Sequence, residues 1–119
     1  MPVPEHRFDI DSLKASWSPG LWALVAPVFG KDSISWATRD PATLIAKRRA
    51  KGSHMLPALF VDCGTEDFLL PQNRAFRDAI LASGGQLLYQ EHPGSHTWDY
   101  WRQHAPESAA WLAARLTVP

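Results

Sequence analysis

An α/β fold is what this sequence predicts, and three features carry the prediction. Ala58 to Val61 is a short, uninterrupted apolar run, the mark of a strand covered on both faces of a parallel sheet. Pro71 opens a helix in which Phe76 and Ile80 lie one turn apart beside Ala75 and Ala79, and Gly84-Gly85 closes it. Leu87 to Glu91 is a second strand, and a helical segment follows from Trp98. Strand, helix, strand, helix in this order implies a right-handed parallel crossover. The expected architecture is a mostly parallel sheet with flanking helices, incomplete because only two strands are visible.

The first half of the chain is less periodic. Residues 1–20 are polar, with Pro2, Pro4, Pro19 and Gly20, and read as a loop holding at most a short turn of helix. Leu21 to Phe29 is mixed apolar and ends at Gly30, and Pro27 argues against one long helix there. Asp40-Pro41 ahead of Ala42-Thr43-Leu44-Ile45-Ala46-Lys47 has the form of a helix start, with Asp40 capping and Pro41 in the first turn. Gly52 is the expected stop, and the basic run Lys47-Arg48-Arg49-Ala50-Lys51 reads as a solvated helix end. In the last helical segment Pro106 is expected to restart a helix as a first-turn residue. Trp111, Leu112 and Leu116 supply that helix's apolar face.

Composition narrows the function classes. A chain of 119 residues suits one domain, and its six Trp and five Phe are ample for a core. Twelve basic and twelve acidic side chains are mixed along it, so the electrostatic footprint of a nucleic-acid or anionic-membrane binder is missing. The single cysteine, Cys63, has no intrachain partner, which favours a reducing, cytoplasmic setting, and it reads as a small buried side chain. No apolar run approaches a membrane span. His92 and His96 have the spacing of two ligands on one helix turn, but Pro93 and Gly94 preclude that helix, so neither a metal nor another cofactor is expected.

Chemistry concentrates in two loops. Leu59-Phe60-Val61-Asp62-Cys63-Gly64-Thr65-Glu66-Asp67 reads as a strand ending in a carboxylate turn, and His92-Pro93-Gly94-Ser95-His96-Thr97-Trp98 as a loop carrying a histidine. Asp67 leaves the carboxyl end of the first strand, where parallel sheets gather functional groups, and His96 follows the next strand. Their separation of 29 residues is what one helix and one strand consume. Two bland readings stand beside this: Asp67 as a turn residue capping local amides, and His96 as a surface histidine.

The same runs, above all Pro93-Gly94-Ser95-His96-Thr97-Trp98-Asp99-Tyr100-Trp101, resemble the C-terminal part of the esterase D and S-formylglutathione hydrolase-like esterases. The resemblance covers about residues 22–116 and is strong from about 56 to 104. It implies an α/β-hydrolase that cleaves small carboxylic esters or thioesters with a Ser-Asp-His triad, in that chain order. By position, Asp67 matches the triad acid and His96 the base. Residues 1–55 then match a cap or linker region, and 56–119 the strand-helix-strand-helix unit with both triad residues. Trp98, Tyr100 and Trp101 are expected to pack the last helix onto the sheet.

The nucleophile is missing. The family's serine sits in a Gly-X-Ser-X-Gly elbow, and no such pentapeptide occurs here. Ser16-Trp17-Ser18-Pro19-Gly20 fails because the residue after the serine must donate its N–H to the oxyanion, and Pro19 has none. Gly52-Ser53-His54 lacks the second glycine and follows a helix. The isolated chain is therefore expected to be an inactive portion of a serine esterase. Two other readings remain: a hydrolase-like binding module, self-associating as a homo-oligomer through an exposed sheet edge, and the dienelactone hydrolase or peptidase branch of the fold.

Overall fold

The computed structural model describes residues 10–30, 32–50 and 56–116. Among them eight elements follow in chain order: α1 (Ile10–Ser16), α2 (Pro19–Phe29), α3 (Ser33–Ala37), α4 (Pro41–Ala50), β1 (Leu59–Gly64), α5 (Leu70–Ala82), β2 (Leu87–His92) and α6 (Trp98–Arg115). The strands pair in parallel, from Leu59 opposite Leu87 to Gly64 opposite His92, so the β-α-β order read from the sequence is present. β1 continues past Val61 because Asp62, Cys63 and Gly64 all extend the ladder with β2. Its carboxyl end therefore lies level with that of β2.

α5 packs on both strands and α6 on β1. Ile80 is the fully buried anchor of α5, and Phe60 meets Trp111 at 5.7 Å to hold α6. Gly84 and Gly85 close α5 as expected, their N–H groups bonding to the carbonyls of Leu81 and Ile80. Cover on both faces of the strands is not what the structure shows. In β1 only Cys63 and Gly64 are buried, and Leu88 in β2 is exposed. A two-stranded sheet brings too little chain with it to enclose both faces.

The N-terminal region is more helical than its prolines suggest. α1 holds two turns because Ile10 packs into a cluster with Trp36, lined by Trp17, Trp22, Val25 and Phe29. Trp22 stacks on Trp36 at 5.4 Å, and the Trp36 indole N–H donates to Gly30 O at 2.6 Å. Pro27 sits inside α2, and Pro106 inside α6 rather than at a restart. Each removes one bond to a carbonyl four residues earlier, Ala23 and Arg102 respectively, and all four residues are exposed, so water can take the freed carbonyl. The start of α4 is as expected: Asp40 Oδ2 accepts from the Thr43 N–H at 2.8 Å and its hydroxyl at 2.6 Å. Lys47 and Arg48 are exposed near its end, while Gly52 lies outside the described residues.

One ion pair links α5 to β2. Arg74 grips Glu91 through two bonds of 2.8 and 3.0 Å, and the Tyr89 hydroxyl donates to the same carboxylate at 2.8 Å. The Arg74 hydrogen bond first, then that of Tyr89, brings the Glu91 carboxyl down to about 2 from 4.5. A folded value below the unfolded one means stability that is fully present above pH 4.5 and lost as pH falls toward 2. Glu91→Gln is expected to lower the thermal midpoint at neutral pH and to flatten its fall across that acid window. Identical acid profiles for the two chains would show that the pair adds nothing.

Candidate active site

The end of β1 delivers Asp67. The turn after Gly64 is closed by the Asp67 N–H donating to Gly64 O at 3.1 Å, and Leu70 N–H returns to Asp67 O. The two carboxylate oxygens have separate partners. Oδ1 accepts from the Leu69 N–H at 2.8 Å, which makes Asp67 the turn-capping residue of the bland reading. Oδ2 lies 2.9 Å from His96 Nδ1. The carboxylate side chain is only 8% exposed and the imidazole 42%, so the acid is sheltered and the ring stands toward solvent.

A carboxylate facing Nδ1 requires the proton on that nitrogen, which leaves Nε2 as the ring's acceptor. The ring is wedged edge-on between Phe68, at 5.2 Å, and Trp101, at 4.8 Å. Phe68 in turn meets Trp17 at 6.3 Å, so the aromatic cluster of the N-terminal helices reaches the histidine. Trp101 thus lies against the imidazole. Tyr100 is buried, but Trp98 is among the most exposed large residues and does not pack on the sheet as expected. It leaves the first turn of α6 edge-on to Trp101 at 5.1 Å.

The two loops are strapped together by backbone. Thr65 N–H donates to His92 O at 2.9 Å and Glu66 N–H to Gly94 O at 2.9 Å. The Glu66 carboxylate accepts from the Gly94 N–H at 2.6 Å and the Thr65 hydroxyl at 2.7 Å. The Gly94 bond, then that of Thr65, holds the Glu66 carboxyl below the usual range. Gly94 has φ +134°, open to glycine, and Thr97 caps α6 by accepting from the Tyr100 N–H. Sequence reasoning missed Glu66 and Phe68. Their one signal is adjacency to Asp67, which alone does not distinguish a strap from a solvated turn.

Other candidates take different places. Cys63 is buried as expected, and burial followed by the Asp67 charge pushes its thiol up to about 11, so it stays protonated at neutral pH. Ser18 is the N-cap of α2, its hydroxyl accepting from the Leu21 N–H at 3.2 Å. Ser53 lies outside the described residues. Among the described residues no helix is long and apolar enough to cross a membrane.

No family model matches the chain. An acetyl esterase of Caldicellulosiruptor saccharolyticus is 31% identical over 88 residues, covering 72% of this chain and 32% of that protein. The chain is similar to an esterase. It spans about a third of the length of that relative. A solved ferulic acid esterase aligns over 70% of this chain and 26% of its own, at 29% identity and a TM-score of 0.42.

Proposed function

We propose that residues 56–119 carry the acid and base of a Ser-Asp-His ester hydrolase of the esterase D and S-formylglutathione hydrolase-like kind, with residues 1–55 as its cap or linker region. The observation that carries this reading is the 2.9 Å approach of Asp67 Oδ2 to His96 Nδ1. The serine comes from polypeptide other than these 119 residues. As its hydroxyl attacks the carbonyl of a small carboxylic ester or thioester, His96 Nε2 takes the proton. The tetrahedral intermediate collapses, His96 returns the proton to the departing alcohol or thiol, and an acyl-serine remains. Water, deprotonated by the same nitrogen, then attacks the acyl carbon, and as the acyl–oxygen bond breaks His96 returns that proton to the serine oxygen and the acid leaves. Throughout, Asp67 holds the tautomer and balances the imidazolium charge. The similarity to an acetyl esterase favours a short acyl group.

The test is a fluorophosphonate probe applied to two polypeptides: the 119-residue chain, and the chain extended by whatever is encoded in frame before it. The expected result is a labelled serine in a Gly-X-Ser-X-Gly context in the extension and none in the shorter chain. Labelling of the 119-residue chain overturns the assignment of the serine. A longer chain that neither labels nor hydrolyses p-nitrophenyl acetate leaves the sheet-edge module as the better account.

A further inference from the structure

Side chains outside the Asp67–His96 pair converge where the end of β2 meets α6. His92 is the last residue of β2, and His104 and Glu107 stand three apart on α6, a spacing that puts both on one helix face. One ligand atom from each lies within 4.8 Å of the others. His92 Nε2 is 3.6 Å from Glu107 Oε2 and 3.1 Å from Gln90 Oε1. Gln90 precedes His92 by two residues and so shares its face of the strand. The two imidazoles are stacked, 4.2 Å between centroids and 10° between planes, with the Tyr100 ring against His104 at 4.4 Å.

We propose that this cluster binds a divalent cation of the zinc class, with His92, His104 and Glu107 as ligands and the Gln90 side-chain oxygen as the fourth donor. Tetrahedral zinc with bonds of about 2.0–2.2 Å sets its donor atoms about 3.3 Å apart. The two distances from His92 Nε2, 3.1 and 3.6 Å, bracket that edge. As they stand the two imidazoles lie in nearly parallel planes with no in-plane point in common, so His104 has to turn out of the stack for its nitrogen, already within the 4.8 Å span, to reach an ion beside half-exposed Glu107. Two imidazoles with two oxygens form a borderline donor set, suited to zinc and its neighbours and not to magnesium or calcium, which take all-oxygen shells. The Pro93-Gly94 turn removes His96 as a partner for His92, but it does not stop α6 from supplying one. The ion ties β2 to α6 on either side of the loop that carries His96, and shares no ligand with the Asp67–His96 pair.

Zinc(II) titrated into the 119-residue chain by calorimetry, with cobalt(II) absorption as the geometric reporter, tests the site. The expected result is one equivalent bound, tetrahedral cobalt bands, and a thermal midpoint that rises with zinc. His104→Ala and Glu107→Ala each weaken binding at least about tenfold, while His96→Ala leaves it unchanged. Should His104→Ala lose its fold by circular dichroism, His104→Gln, which keeps a side chain against Tyr100, is expected to show the same loss. Absence of zinc binding, or affinity that survives these cluster substitutions, overturns the proposal. So does a His104→Ala chain whose midpoint falls with no change in its response to zinc, the mark of a packing role alone.

Discussion

Asp67→Asn is expected to lower kcat for ester hydrolysis by about 10⁴ in the serine-containing protein, with little change in KM. The substitution is nearly isosteric, and its amide oxygen can still accept from the Leu69 N–H, so the turn survives. What changes is the group facing His96 Nδ1 across 2.9 Å. If the oxygen keeps Leu69, the amide NH₂ faces the ring, and it must meet a lone pair rather than an N–H. The proton is then driven to Nε2, the nitrogen that has to accept from the serine. His96→Ala removes the base itself and is expected to cost about 10⁶. Steady-state rates on p-nitrophenyl acetate, with circular dichroism to confirm folding, give the comparison. A loss below tenfold for either substitution would remove the pair from the chemistry.

Gly64→Ala is expected to destabilise the chain by about 3 kcal/mol or more, at the upper end of the overpacking range. A Cβ at Gly64 would sit 2.2 Å from Gly94 O and 2.7 Å from Gly94 C. Both are backbone atoms, so no rotamer relieves the clash. The loops must part, and the Glu66–Gly94 bonds that join them break with them. Gly94→Ala meets a softer obstacle, Tyr100 Cδ2 at 2.7 Å, but adds strain at φ +134°, of order 1–3 kcal/mol. Urea unfolding of the three chains ranks them. A Gly64→Ala midpoint equal to the parent's would mean that the loops are not held at this separation.

The two residues of the proposed acid–base pair stood out in the sequence because each is framed locally. Asp67 follows an apolar run and a glycine turn, and His96 sits behind Pro93-Gly94 and ahead of Trp98-Asp99-Tyr100-Trp101. The strap was not readable, since Glu66 becomes one only when Gly94 lies 2.6 Å away, 28 residues on in the chain. The same holds for His92, which the sequence offers only His96 as a neighbour, while the fold sets it against His104 and Glu107. The prolines misled for a related reason. Pro27 and Pro106 each forbid one hydrogen bond, and whether a helix survives that depends on water reaching the carbonyl, which is a property of the packed molecule.

By itself the sequence determined the order from β1 to α6, the parallel pairing of the two strands, the start of α4, the glycine stop of α5, and the residue types of the proposed acid–base pair. These follow from propensity, periodicity and turn chemistry, which act over a few neighbouring residues. The tertiary structure alone decided that Gly64 lies opposite His92, that the two loops therefore share one rim, and that Phe68 and Trp101 enclose the imidazole. Such contacts depend on how strands slide and helices settle against one another, and the free energy that selects them is spread over many pairs distant in the chain.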